Sequence, residues 1–109
     1  MLLVCRFGPE EDGESFLERA RRAMGLLARQ PGCERVDLGR AVEEPEQWVL
    51  VAVFTSLTDY RRALQPFEVR EHVVPFLSAA RTDAPATFER RLTALGDDGE
   101  VRESPSILG

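Results

Sequence analysis

The segment from Trp48 to Phe54 is apolar at every position. Because side chains alternate between the two faces of a sheet, this unbroken run predicts a strand that is shielded from water on both faces. The helices of a chain of 109 residues can cover one face, but the sequence offers no second set for the other. We therefore expect a central strand over residues 47–55 whose outer face packs against a second copy of the chain.

Three elements precede the central strand. A first strand is predicted over residues 2–7, and an amphipathic helix follows, with Asp12 or Ser15 as its N-cap. The apolar positions of that helix recur at helical spacing: Phe16, Leu17, Ala20, Ala23, Met24, Leu27 and Ala28. Residues 33–42 alternate between apolar and charged side chains, which is typical of an edge strand.

Two helical segments and a last strand follow. Ser56 and Asp59 have the spacing of a capping box, and Pro66 is expected to interrupt the helix that they open. The inward positions of that helix are predicted to be Tyr60, Ala63, Leu64 and Phe67. In the next segment Val69, His72, Val73 and Phe76 share one helical face, and Pro75 predicts a break into two short helices. A last strand is expected over residues 86–92.

The resulting order, β-α-β-β-α-β, predicts an α+β fold of the ferredoxin-like arrangement. Its four-stranded antiparallel sheet has helices on one face and is bare on the other. Two such sheets packed face to face would form a homodimer, an α+β barrel, with an interface on the order of 2,000 Å². We assign residues 1–92 to this domain and residues 93–109 to a polar C-terminal tail.

Charge and composition exclude several classes of function. The chain has 14 basic and 19 acidic residues, a net charge of −5 and a pI near 4.9, so no nucleic-acid partner is expected. It lacks both a signal peptide and an apolar stretch long enough for a membrane, which predicts a cytoplasmic protein. One histidine, with Cys5 and Cys33 far apart in sequence, predicts no metal site and two reduced thiols.

Four short motifs occur in an order that resembles one known family. They are Gln30-Pro31-Gly32-Cys33, Glu44-Pro45, Trp48-Val49-Leu50-Val51 and Val69-Arg70-Glu71-His72-Val73-Val74-Pro75. Together they are similar to the antibiotic biosynthesis monooxygenase family, over roughly residues 1–92. The resemblance implies a dimeric α+β barrel. It also implies oxidation of a small aromatic or polyketide-like molecule by molecular oxygen, with no metal, flavin or other cofactor, in a pocket between helices and sheet.

Such chemistry calls for a base and a few hydrogen-bond donors in an apolar pocket. The candidate catalytic residues are His72, as a base for a phenolic proton, and Tyr60, as a donor to a substrate oxygen. The candidate ligand-binding residues are Trp48, Arg70 and Phe76. Each also has a structural interpretation: His72 bonded to backbone near Pro75, Trp48 in the dimer core, Tyr60 and Phe76 in packing, and Arg70 on a solvated helix face.

Two functions therefore remain open. The first is a cofactor-independent monooxygenase, and the second is a non-catalytic homodimer that binds a small ligand or is purely structural. The chain contains no Asn, whereas family enzymes that form quinones are associated with Asn in the pocket, and haem-degrading members carry one in the first strand. An open cavity lined by His72, Tyr60 and Trp48 favours the enzyme, and a filled core favours the non-catalytic protein.

Overall fold

The computed structural model describes residues 1–9 and 13–108. The elements in chain order are β1 (Leu2–Phe7), α1 (Gly13–Ala28), β2 (Cys33–Arg40), β3 (Trp48–Phe54), α2 (Leu57–Ala63), α3 (Phe67–Ser78), β4 (Thr87–Phe88), β5 (Leu92–Ala94) and β6 (Val101–Glu103). The first four strands of the sheet lie in the order β2-β3-β1-β4, all antiparallel. The predicted α+β class and the four-stranded antiparallel sheet are confirmed.

The apolar strand β3 is central, between β1 and β2. Along β3, Leu50, Ala52 and Phe54 are buried, and each intervening valine is half-buried. The same alternation occurs in β1, where Leu3, Cys5 and Phe7 are buried. The buried set faces the helices, so side chains of opposite alternation define a second face of the sheet.

The outer face of the sheet has an apolar centre and a charged rim. The register places Val4 beside Val51, and Leu2 beside both Val53 and Phe88. Arg35 and Asp37 of the edge strand β2 flank this centre and form an ion pair of 2.8 Å. Val49 also belongs to this face, which we call the outer face (Leu2, Val4, Val49, Val51, Val53 and Phe88).

Aromatic rings fill the interior between helices and sheet. The ring of Phe7 lies 5.3 Å from that of Phe16 and 4.9 Å from that of Phe76, centroid to centroid. All three residues are at most 4% exposed. Phe54, which is fully buried, occupies the other end of the core. This packing leaves α1 and α3 fixed side by side over the sheet.

The start of α2 and its separation from α3 are as expected. The Ser56 hydroxyl accepts the Asp59 backbone N–H at 3.0 Å, as a capping-box serine should, and Pro66 precedes the first residue of α3. The prediction that the helix turns Ala63 inward is confirmed, because Ala63 is buried. The same prediction is wrong for Phe67, which is 70% exposed. Phe67 begins a new helix after Pro66, so the periodicity of α2 does not continue to it. The N-cap candidate Asp12 lies outside the described residues, and Ser15 lies within α1.

The predicted break at Pro75 is wrong, because α3 continues through it to Ser78. Proline removes a backbone N–H and costs a helix roughly 3 kcal/mol. Here Val69, Val73 and Phe76 are buried along one face of α3, and their packing holds the helix together. Glu71, whose carbonyl lacks the proline N–H, is exposed, so water can satisfy that carbonyl.

The end of the chain differs from the expectation in two respects. The last strand of the main sheet, β4, has two residues rather than the predicted seven, and the chain beyond it forms the hairpin β5-β6. The Glu89 carboxylate accepts the Ile107 backbone N–H at 3.0 Å and the Ser106 hydroxyl at 2.9 Å. These bonds lower the pKa of Glu89. They also hold the C-terminal segment against Glu89, just after β4.

None of the helices formed by the described residues combines the length and the apolar composition that crossing a membrane requires.

Candidate functional site

An open groove runs between α1 and α3 on the side of the helices away from the core. Its larger part has a volume of about 770 Å³, and a smaller part of about 310 Å³ continues it. Arg21, Arg22 and His72 line both parts. Residues 15–22 of α1 face residues 71–76 of α3 in the larger part, and residues 21–29 face residues 68–72 in the smaller, so the two helices are antiparallel. We call this feature the helix groove.

His72, the sole imidazole of the chain, stands in the wall of the helix groove. Its side chain is 33% exposed, and its Nε2 atom lies 3.7 Å from a carboxylate oxygen of Glu71. That distance is too long for a hydrogen bond, so Glu71 is a neighbouring charge rather than a fixed partner. His72 thus lies at the solvent edge of the buried face of α3 and not beneath it, and its ring can reach a molecule in the groove.

Phe76 joins the helix groove to the aromatic core. It lines the larger part of the groove beside Pro75, and its ring lies 5.5 Å from that of Phe16. The indole of Trp48 is in turn 5.5 Å from Phe16. Trp48 therefore does not reach the groove itself. It contacts Phe16, and Phe16 in turn packs against Phe76.

Trp48 and Arg70 do not line the helix groove. Trp48 lies on the inner face of the sheet, as Leu50 does. Trp48 is therefore absent from the outer face, where a sheet-to-sheet dimer would form. The Arg40 guanidinium lies 5.2 Å from the centroid of its indole, a cation–π contact. Arg70 is exposed on α3, as a solvated helix face requires.

Tyr60 lies against the sheet near Cys5 and is also separate from the helix groove. Its ring meets that of Phe54 edge to face, with centroids 5.3 Å apart. Burial raises the pKa of the Tyr60 hydroxyl above its ordinary value, and the nearby Cys5 raises it further. Tyr60 is consequently a neutral donor near pH 7 and unsuited to accept a proton there.

The raised pKa of Tyr60 predicts a loss of stability in alkali. Above pH 10 the tyrosine of the unfolded chain ionises while the folded chain keeps the proton, so the free energy of unfolding falls as pH rises through that range. Tyr60→Phe removes this contribution, and we expect its stability to fall less steeply between pH 9 and 11. Urea denaturation at each pH measures the difference between the two proteins. If the free energy of unfolding falls equally steeply with pH in both proteins, the raised pKa of Tyr60 is contradicted.

The structure adds arginines of α1 that the sequence did not single out. Arg21, Arg22 and Arg29 line the helix groove, although the periodicity of α1 indicates merely that they lie opposite its apolar face. Which surface they share with α3 depends on how the helices pack, and no local pattern encodes that. Within residues 1–9 and 13–108, no group of three or more His, Cys, Asp or Glu side chains is arranged to hold a metal ion.

A comparison with protein families finds a match that covers most of the helix groove and the central strand. The model of the antibiotic biosynthesis monooxygenase family matches residues 6–74, more than half of the chain. The chain belongs to this family. The match runs from the end of β1 into α3, so it includes the central strand and His72 but ends before Pro75 and Phe76. It ends before β4 and the C-terminal hairpin.

Solved structures agree with the family. SnoaB, a cofactor-independent oxygenase from Streptomyces nogalater, is 30% identical with a TM-score of 0.63, over 72% of this chain and 80% of SnoaB. A mutant of SnoaB aligns at 28% identity and a TM-score of 0.65, over 73% of this chain and 82% of that one. A conserved protein from Methanosarcina mazei Go1 shares the fold at 14% identity, with a TM-score of 0.63 and coverages of 76% and 82%. No curated protein matches the sequence.

Proposed function

We propose that this member of the antibiotic biosynthesis monooxygenase family is a homodimer that oxidises a small polycyclic phenol with molecular oxygen, without metal, flavin or haem. The observation that carries the proposal is the position of His72, one-third exposed in the wall of an open groove next to Phe76. Family membership and the similarity to SnoaB, a cofactor-independent oxygenase, support the reaction type. These comparisons support a monooxygenase-type role at the level of the family, and the phenolic substrate is our own inference.

The proposed reaction balances without a further reductant. The aromatic C–H and the O–H of a phenol lose two hydrogen atoms, one oxygen atom of O₂ becomes the second quinone carbonyl, and the other leaves as water. His72 accepts the phenolic proton, which makes the ring electron-rich enough to reduce oxygen.

The site that we propose is built on His72 and Phe76. Pro75 and Phe76 give an apolar surface for the aromatic ring, and His72 lies one helical turn from Phe76 on α3. Trp48 supports this surface through Phe16. Roles for Tyr60 as a donor and for Arg70 as a ligand contact stay predictions from the sequence, and the proposed site does not depend on them.

The homodimer is proposed to form through the outer face. Its apolar centre and charged rim are the anatomy of a specific interface. Packing two such faces around a two-fold axis would complete the α+β barrel and shield the valines of β3. That the dimer works in the cytoplasm, with its two free thiols, Cys5 and Cys33, is part of the same proposal.

The second candidate function is a non-catalytic homodimer that binds a small ligand or has a structural role. One observation favours it: the core beside Trp48 and Tyr60 is filled by phenylalanine rings, and neither residue lines the helix groove. In that case the groove is a binding surface and His72 contributes no chemistry.

The two functions differ in the effect of His72→Gln, which keeps the approximate size of the side chain but removes the base. We expect a 10²- to 10⁴-fold loss in kcat for oxygen uptake with a polycyclic phenol such as a naphthol or an anthracenol, because general-base catalysis is worth that much. Ser78→Ala is the matched control on the same helix. Its hydroxyl donates to the Val74 carbonyl at 2.8 Å and lies outside the groove, so its kcat should not change.

Circular dichroism verifies that both variants fold. Equal turnover by His72→Gln and the wild type would eliminate His72 as the base. If the wild type consumes no oxygen with any phenol of the panel yet binds one of them, the non-catalytic function is the correct one.

A further inference from the structure

Exposed apolar side chains are concentrated in the C-terminal part of the chain. Among the residues that the structure describes, large apolar side chains are exposed at nine positions, and six of these lie between residues 88 and 108. The six are Phe88, Leu92, Leu95, Val101, Ile107 and Leu108. Single exposed apolar side chains are ordinary on a protein surface, but a concentration of them marks an interaction site. We call residues 92–108 the C-terminal arm.

The hairpin of the C-terminal arm exposes its apolar face. β5 pairs with β6 in a two-stranded sheet that is separate from the main sheet. Residues paired across a ladder point to the same face, so Leu92, Ala94 and Val101 share one face, on which Leu92 is 66% and Val101 60% exposed. Thr93 points to the opposite face and is half-buried. A hairpin that folds onto its own domain buries its apolar face and exposes its polar face, so the arrangement here is reversed.

Hydrogen bonds at the base of the arm fix the direction of its apolar face. The Ser104 backbone N–H donates to the Arg91 carbonyl at 2.8 Å, and the Arg91 Nε donates to the Ser104 carbonyl at 3.1 Å. The Glu89 carboxylate also accepts the Ser106 hydroxyl and the Ile107 backbone N–H. Both strands of the hairpin are thus tied where they leave the domain. A two-stranded hairpin is marginally stable in water by itself, so its apolar face requires a cover.

A second copy of the chain is the cover that the observations favour. The outer face ends at Phe88 on β4, shortly before Leu92, so the arm continues from the rim of the surface that the proposed homodimer buries. Five of the six apolar side chains of the outer face are already half-buried within one chain. A standard interface takes roughly 20–30 residues from each subunit. The exposed side chains of the arm supply apolar area that the outer face lacks.

We propose that the C-terminal arm packs against a second copy of this chain, with Leu92, Ala94 and Val101 buried in the interface. A two-fold axis makes the contact reciprocal, so each copy covers the arm of the other. This inference rests on the proposed function in one respect, because it extends the interface of the proposed homodimer. It does not depend on the oxidation, since the arm and the helix groove share no residue.

Substitutions on the apolar face of the arm test the proposal through the dissociation constant of the dimer. Leu92→Ser combined with Val101→Ser should raise that constant at least about a hundredfold, because two apolar side chains leave the interface. Sedimentation velocity over a dilution series measures the constant. Both side chains are exposed in a single chain, so the variant should fold, and circular dichroism verifies this. The matched control is Val42→Ser combined with Phe67→Ser, which are 89% and 70% exposed outside the arm and should leave the constant unchanged.

Isotope-filtered NMR of the full chain identifies what covers the arm. In a mixture of isotope-labelled and unlabelled copies, we expect nuclear Overhauser effects from the methyl groups of Leu92 and Val101 in one copy to protons of the other copy. If these methyl groups show effects only within their own copy, or none at all, the arm is covered by its own chain or by another molecule, and the inference is overturned. A wild-type dissociation constant in the arm variant, or an equal rise in the control pair, would overturn it too.

Failure of this inference is distinguishable from failure of the proposed outer-face interface, because Val51→Asp alters the outer face and leaves the arm intact. If Val51→Asp dissociates the dimer while the arm variant stays dimeric, the inference is refuted and the outer-face interface is retained. If the arm variant dissociates while Val51→Asp stays dimeric, the outer-face interface is refuted and the inference is retained. Oxygen uptake is measured separately, so neither result decides the oxidation.

Discussion

Leu50→Asp is expected to prevent folding of the chain. Leu50 is 1% exposed in the middle of β3, on the face that packs against the helices. The substitution removes a buried leucine and leaves a carboxyl group without a partner in an apolar core, at a cost of roughly 5 kcal/mol or more. Domains of this size are stable by about 5–15 kcal/mol in total. We expect loss of the folded circular dichroism spectrum and aggregation at low concentration.

Leu50→Met is the control for that result, because it keeps the volume and apolar character of the side chain. Its expected cost is below about 1.5 kcal/mol, so the variant should fold with a slightly lower melting temperature. A folded Leu50→Asp protein with a native spectrum would mean that β3 does not occupy the centre of the core.

Val51→Asp, one position further along the same strand, is expected to have a different effect. Val51 points to the outer face, where it is half-buried between Val4 and Asp37. In the proposed dimer the new carboxylate would be buried beside Asp37. We expect the dimer to be weakened by several kcal/mol, which is two orders of magnitude or more in the dissociation constant.

Light scattering during gel filtration measures the mass of the Val51→Asp protein. We expect a particle of one 12.2 kDa chain, with a melting temperature that no longer rises with protein concentration. Val51→Ile, which keeps the face apolar, serves as the control and should remain dimeric. A Val51→Asp protein that keeps twice the chain mass would show that the subunits do not associate through the outer face.

The elements whose patterns are strongest are those that the sequence predicts well. The apolar run in β3, the periodic stripe of α1 and the Ser56 cap each depend on local chemistry, and the structure confirms all three. The predicted break at Pro75 is wrong because the local cost of the proline is outweighed by the burial of Val73 and Phe76, and that burial depends on the whole fold. Propensity is overridden in this way wherever tertiary packing is strong.

The candidate site was harder to predict than the fold. Sequence spacing places His72 and Phe76 on one helical face, and the structure brings them together in the helix groove. Trp48 and Tyr60 are on other elements, and their separation from the groove depends on packing that the sequence pattern does not encode. Arg21, Arg22 and Arg29 of α1 have the sequence pattern of an ordinary solvated helix face. Only the position of α3 beside α1 shows that they line the helix groove.

The proposed activity is the insertion of an oxygen atom from O₂ into a phenol with no cofactor. The most direct measurement uses protein treated with a metal chelator and free of flavin and haem absorbance, mixed with isotopically labelled O₂ and a polycyclic phenol, with mass spectrometry of the product. We expect a quinone that carries one labelled oxygen atom and forms well above the protein-free rate. A quinone that forms no faster than without protein, or whose new oxygen comes from water, would contradict it.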